Sequence, residues 1–249
     1  MAAGVIDIGS NSIKLLIGEK SGEDIMILEV LKNIVPIGRA TFLKGHITQE
    51  LINLTVTTLE KYRDVLRQYQ ITQVFVIATT AVREAGNRNI FLDTIRRKTG
   101  LEIEVLGVGD IVYYIDAYIS HKLKDIYPVH NKNLLIAEMG AGSLDVSFLK
   151  KGFSVMSMGL ALGALRFRQL TGRIDGSRQE RAEAIQEYIE GEFAYFQGSM
   201  PRTQIDDVFL IDENQEYLKA ILAHTKVSTN FFKFSAEEVE RVIIEIADK

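Results

Sequence analysis

Apolar and polar positions change period several times along the chain. "AAGVIDI" and "IKLLIGE" are short apolar runs separated by Gly9-Ser10-Asn11-Ser12, which predicts a hairpin, and "DIMILEVLKNIV" predicts a third strand. In "ITQELINLTVTTLEKYRDVLRQYQ" the period lengthens: Leu51, Leu54, Thr58, Leu59, Tyr62, Leu66 and Tyr69 recur at helical spacing with charges between them. "TQVFVIATT" is β-branched and aromatic, too short for a helix and apolar enough for a buried strand. Asn87 is placed to cap a helix carrying Phe91, Leu92 and Ile95. "LEIEVLGV" predicts a strand, Asp110 to Lys124 a helix, and Pro128 to Lys132 a connector.

The plan then repeats. "KNLLIAEMGAGSLDVSFLKKG" is again an apolar strand, an acid, a glycine-containing turn and an apolar strand. Asp7-Ile8-Gly9-Ser10-Asn11-Ser12 aligns with Glu138-Met139-Gly140-Ala141-Gly142-Ser143, 131 residues later. A single repeat at about half the chain length is a duplicated domain, not a solenoid. "FSVMSMG" predicts the third strand of this half, with helices over Leu160–Leu170 and Ser177–Gln197 and a strand at "IDDVFLI". Helices over Glu213–His224 and "AEEVERVIIEIAD" follow, the latter with Ser235 and Glu238 as a capping box. The expected fold is α/β: an N-terminal domain over 1–128, a second over 129–249, and a cleft between them.

Two acid-tipped turns suggest phosphate chemistry. Small residues let several backbone N–H groups converge on one oxyanion, and a carboxylate just before the turn can hold Mg²⁺ through water. Asp7 would then hold the metal, and Gly9, Ser10, Asn11 and Ser12 a phosphate. An ordinary hairpin turn accounts for either segment alone; an acid at both positions favours the phosphate reading.

Composition narrows the classes. The 249 residues are 47% hydrophobic and carry a net charge of −4, which argues against a general nucleic-acid binder. The absence of cysteine excludes disulfides, Cys-based zinc sites and a thiolate-nucleophile phosphatase. His46, His121, His130 and His224 lack metal-ligand spacing. No run approaches the roughly eighteen apolar residues of a membrane span, and Met1-Ala2-Ala3-Gly4 has no basic leader, so a cytoplasmic protein without membrane or nucleic-acid partners is expected.

The same residues resemble a particular family. "VIDIGSNSIKLLI" is similar to the first phosphate motif of the exopolyphosphatase/guanosine pentaphosphate phosphohydrolase family, within the actin-like, sugar-kinase and Hsp70 ATPase superfamily. "ATTAVREAGN" (78–87) resembles that family's Ala-Thr-Ser-Ala-x-Arg-Glu-Ala-x-Asn segment, and "GLALGALRF" (159–167) its Leu-Gly-Ala-x-Arg segment. The resemblance implies two duplicated ribonuclease-H-like domains and a Mg²⁺-dependent hydrolase that removes terminal phosphate from polyphosphate or guanosine pentaphosphate. It implies phosphate binding by the first turn, by Thr79, Thr80 and Arg83, and by Gly140, Ala141, Gly142 and Ser143. Metal ligation would fall to Asp7, Glu138 and Asp145, and a homodimer stays open. Arg83 has a structural alternative, bridging to Glu84 or a helix end.

Departures matter equally. The second motif, Asp-Ile-Gly-Gly-Gly-Ser-x-Glu in the family, here runs from Glu138 to Asp145, with each acid changed by one methylene and Ala141 in a glycine position. The catalytic Ser-Gly-x-Glu-Glu-Ala segment becomes Gly107-Val108-Gly109-Asp110-Ile111-Val112, leaving Asp110 as candidate base or merely a first-turn helix residue. Pro36-Ile37-Gly38 stands for Arg-Leu-Gly, and Asp212-Glu213-Asn214 for a late Gly-Gly-Thr. The helical domains of many polyphosphatases do not follow, as in a piece of a longer protein. A rival reading is therefore a catalytically silent sensor of polyphosphate, a guanosine alarmone (tetra- or pentaphosphate) or a nucleotide. A sugar-kinase-like transferase is disfavoured.

Overall fold

The computed structural model describes residues 1–123, 125, 127–212, 225–228, 231–233, 235 and 237. The chain divides into a unit over Met1–Ile211 and a second over Asp212–Lys249. Within the second, strands Thr225–Ser228 and Phe231–Lys233 pair antiparallel. The helices expected at Glu213–His224 and after Ser235 lie outside the described residues, apart from single positions.

The first unit carries two sheets. In the N-terminal lobe β1 (Ala2–Ile8), β2 (Ser12–Ser21) and β3 (Asp24–Ile34) form an antiparallel meander. β4 (Gln73–Ala78) and β5 (Glu104–Val105) extend it in parallel, giving the order β3-β2-β1-β4-β5. Ile6, Ile8, Ile13, Leu15 and Ile17 are fully buried on one face of the meander. Helix α1 is Ile37–Lys44 and α2 is Gln49–Gln68, the latter capped by Thr48, whose side chain accepts from the Leu51 amide. The buried stripe of α2 is Ile52, Thr55, Val56, Thr58, Leu59, Tyr62 and Leu66. It is rotated from the expected one, because the core-facing threonines turn their hydroxyls onto the preceding turn's carbonyls, leaving Leu54 and Tyr69 exposed. A buried Tyr62 hydroxyl, 2.9 Å from the Ile13 carbonyl and 3.0 Å from Asn33 Oδ1, pins the helix to the sheet.

Short helix α3 (Thr80–Arg83) leaves the end of β4, and α4 (Arg88–Thr99) follows. Asn87 stands at the N-cap of α4 without capping it. Its amide instead bonds both main-chain groups of Ile47, tying the loop after α1 to this corner. Helix α5 (Val108–Leu123) starts two residues earlier than expected and packs on the second sheet.

That sheet has the order β8-β7-β6-β9, from β6 (Asn133–Met139), β7 (Leu144–Lys150), β8 (Phe153–Leu160) and β9 (Asp207–Asp212). The helix expected from Leu160 begins at Ala164 as α6 (Ala164–Thr171), because β8 stays extended to Leu160 and Gly163 must pass against the second turn. Helix α7 (Arg178–Ser199) carries a full capping box from Ser177 and Glu180. Val146, Leu160, Leu162 and Phe196 form a buried cluster of this lobe.

Candidate functional site

The repeat seen in the sequence extends to individual hydrogen bonds. Gly9 donates its amide to the Ser12 carbonyl at 3.0 Å, and Gly140 donates to Ser143 at 2.9 Å. Each turn is also held by the helix after its meander: Gly38 at the start of α1 donates to the Ser10 carbonyl, and Ala164 at the start of α6 to that of Gly140. A Cβ on Gly38 would stand 2.7 Å from the Phe42 ring and 2.9 Å from Ser10 Cβ, so this glycine admits α1 to the turn. Ala141 has none of the left-handed φ that would have demanded glycine; its carbonyl accepts from the Leu165 and Arg166 amides, and the substitution is accommodated without strain.

The turns meet. Thr80 Oγ1 and Ser143 Oγ are 2.9 Å apart in a buried contact, and a Cβ on Gly142 would stand 2.6 Å from Ser10 Oγ. The expected cleft is thus closed at its floor, with Ser10, Ser12, Thr80 and Ser143 all buried and Asn11 exposed. Thr79 donates its amide to the Ile8 carbonyl and caps α3 with its own carbonyl. Arg83 Nη1 donates to the Leu106 carbonyl at 2.8 Å and Nη2 to Thr80 Oγ1 at 3.3 Å, joining α3 to the loop before α5.

The acids differ between the repeats. Asp7 lies opposite Lys14 on the β1–β2 ladder, whereas at the equivalent β6–β7 positions Glu138 lies opposite Asp145. Like charges directly opposed across a strand pair are unfavourable. Asp145 is 5% exposed, its Oδ1 has no hydrogen-bond partner, and burial pushes its carboxyl above the usual aspartate range, against the opposing pull of Ser143 and Arg83. An orphaned buried carboxylate oxygen beside a second carboxylate suits a hard cation. Among the described residues no three acidic or imidazole groups cluster as a complete ligand set. The residues therefore fit Mg²⁺, which keeps waters and phosphate oxygens alongside one or two carboxylates, better than an all-protein cage.

Asp110 is exposed at the third position of α5, and its Oδ2 accepts from the Gly107 amide at 2.8 Å, the bond of a helix cap. Its helix start nonetheless lies near Asp145. Val108 and Asp145 Oδ1 both lie within 3.1 Å of where a Gly159 Cβ would be.

Sequence reasoning left Phe42, Glu84 and Arg166 out of the site. Arg166 Nε donates to the Gly142 carbonyl at 2.8 Å, Nη2 reaches both Glu84 oxygens at 2.7 and 2.6 Å, and the guanidinium lies 4.2 Å from the Phe42 ring centroid. The matching Glu and Arg of the "REA" and "LGALR" segments were the available signal.

Comparison with known proteins agrees with this geometry. Residues 5–204 match the model of the Ppx/GppA phosphatase family. Exopolyphosphatase 1 of Mycobacterium tuberculosis is 24% identical over 196 residues, 78% of this chain and 56% of that protein. The bifunctional 3-dehydroquinate synthase/phosphatase of Fusobacterium nucleatum is 29% identical over 177 residues, 66% of this chain and 25% of its own length. The chain thus spans about half the length of the mycobacterial relative. Among solved structures, an exopolyphosphatase from Cytophaga hutchinsonii superposes with a TM-score of 0.70 at 21% identity, covering 84% of this chain and 66% of that one. The Aquifex aeolicus Ppx/GppA family member gives 0.65 at 22%, covering 84% and 65%. These neighbours carry the two-domain actin-like fold, and with paired turns, a matching family model and matching architecture, the chain belongs to the Ppx/GppA phosphatase family.

Proposed function

We propose that this chain is a Mg²⁺-dependent phosphoanhydride hydrolase of the exopolyphosphatase type, acting on polyphosphate or guanosine pentaphosphate. The observation that carries the reading is the meeting of two hydrogen-bond-equivalent turns, Gly9–Ser12 and Gly140–Ser143, beside the opposed carboxylates Glu138 and Asp145. The turn amides and the hydroxyls of Ser10, Thr80 and Ser143 would hold the terminal phosphate. Glu138 and Asp145 would hold Mg²⁺, with Asp7 reaching it through water, and the metal when bound neutralises charge on the phosphoryl oxygens. A carboxylate takes one proton from water as its oxygen bonds to the terminal phosphorus. The P–O bond to the next phosphate breaks, releasing inorganic phosphate and a chain shortened by one.

Asp110 is the first candidate for that carboxylate. Its capping bond also motivates the second reading, a sensor that binds the same ligands without turnover. Asp110→Asn separates the two, since an amide oxygen still accepts from Gly107 but takes no proton from water. Phosphate release from polyphosphate and guanosine pentaphosphate, with and without Mg²⁺, is the assay. Turnover by the wild type that Asp110→Asn abolishes supports the hydrolase with Asp110 as base. Turnover surviving in Asp110→Asn moves the base elsewhere. Ligand-induced stabilisation without turnover supports the sensor, and neither response to either ligand refutes both.

A further inference from the structure

Arg166 sits in α6 with its guanidinium turned back toward the N-terminal lobe. One side of that group holds the second lobe, through Nε on the Gly142 carbonyl. The other side holds the first lobe, through Nη2 on both oxygens of Glu84. The Phe42 ring lies under it, and the Arg166 side chain is 16% exposed against 41% for Glu84. With Nε on the carbonyl and Nη2 on the carboxylate, two donors of one planar guanidinium fix its direction as well as its distance. The consequence falls on the turn. No peptide in the described chain is cis, and in a planar trans peptide the C=O and N–H point opposite ways. Drawing the Gly142 carbonyl toward Arg166 therefore aims the Ser143 amide away from it.

We propose that Arg166 is a positioning residue for anion binding. It holds the Gly142–Ser143 peptide in the orientation that offers the Ser143 amide to a phosphate oxygen, and it does so because Glu84 of the other lobe holds Arg166. Lobe contact and the anion affinity of the second turn are thereby linked through one side chain. This rests on the phosphate reading above. Lysine cannot replace it, since a single ammonium on a flexible stem cannot span a carbonyl and a carboxylate in fixed geometry.

The test uses the whole chain with Arg166→Lys, Glu84→Gln and, as a control for loss of a guanidinium, Arg168→Lys on the exposed side of α6. Sodium tripolyphosphate is titrated by calorimetry, and amide hydrogen exchange is followed over residues 140–145. Arg166→Lys is expected to bind at least about tenfold more weakly, as for one charged hydrogen bond, and to lose protection over 140–145. Glu84→Gln should fall between it and the wild type, and Arg168→Lys should match the wild type. Wild-type affinity and protection in Arg166→Lys overturn the positioning role and leave the phosphate reading standing. Weaker binding with unchanged protection also overturns it, because the loss would then be charge alone. A wild type that does not bind tripolyphosphate overturns both.

Discussion

Replacing Gly142 by alanine places one methyl group where the two lobes touch. Its carbon would stand 2.6 Å from Ser10 Oγ, 2.9 Å from Phe42 Cζ and 3.0 Å from Thr80 Cβ, and all three neighbours belong to the other lobe. Gly142 has no left-handed φ, so the penalty is steric rather than conformational. Ser10 and Thr80 are 6% and 4% exposed, leaving them little room to move aside. Overpacking of this kind costs about 1–3 kcal/mol. For a chain of this size that lowers the melting temperature by roughly 2–12 °C. Gly191→Ala is the control of opposite sign. It lies inside α7 with nothing within 4 Å of the added carbon, so it should gain about 0.5–1 kcal/mol from helix propensity. Thermal denaturation of both variants against the wild type is the measurement. Gly142→Ala melting with or above the wild type would show that the turns do not touch in solution, and the site geometry would fall with it.

Asp145→Asn tests the buried acid. An acid whose carboxyl titrates higher in the folded chain than in the unfolded one binds its proton more tightly when folded, so stability falls as pH rises from the ordinary aspartate range through the raised value. The variant should melt above the wild type at pH 7, converge with it near about pH 3, and lose any stabilisation that Mg²⁺ confers on the wild type; parallel melting curves at all pH values would refute this. Tyr62→Phe leaves the Ile13 carbonyl without its hydroxyl partner in a buried site, at an expected loss of about 1–3 kcal/mol by urea unfolding. Ser177→Ala removes half of the α7 capping box and should cost about 0.5–2 kcal/mol in the same assay.

The duplicated turns and most strands were legible because apolar runs bounded by glycine and serine leave few alternatives, and the 131-residue repeat reappears in the glycine-to-serine bond that closes each turn. What escaped was tertiary. The turn glycines were read as leaving backbone amides open to an oxyanion; at Gly142, and at Gly38 beyond the first turn, a further reason is the approach of another lobe or helix, which no local pattern encodes. Asn87 read as a cap because its neighbours are helical, while its amide is drawn off by Ile47, forty residues away in sequence. Helix α1 was missed because eight residues starting after Pro36 are too short for a period to show. Arg166 and Glu84 each resembled family positions, yet their pairing exists only once the lobes are assembled.

The interlocking of Ser10, Phe42 and Thr80 around Gly142 also constrains how such a chain can diverge. Neither half of the duplication is at liberty to drift alone. A lineage that acquires a side chain at position 142 must first carve room in the opposite half, by shortening Phe42 or exchanging Thr80 for a smaller residue. Paired sequences of distant homologues should therefore record the two halves changing in step at these four positions, while Ala141, one residue away, varies independently.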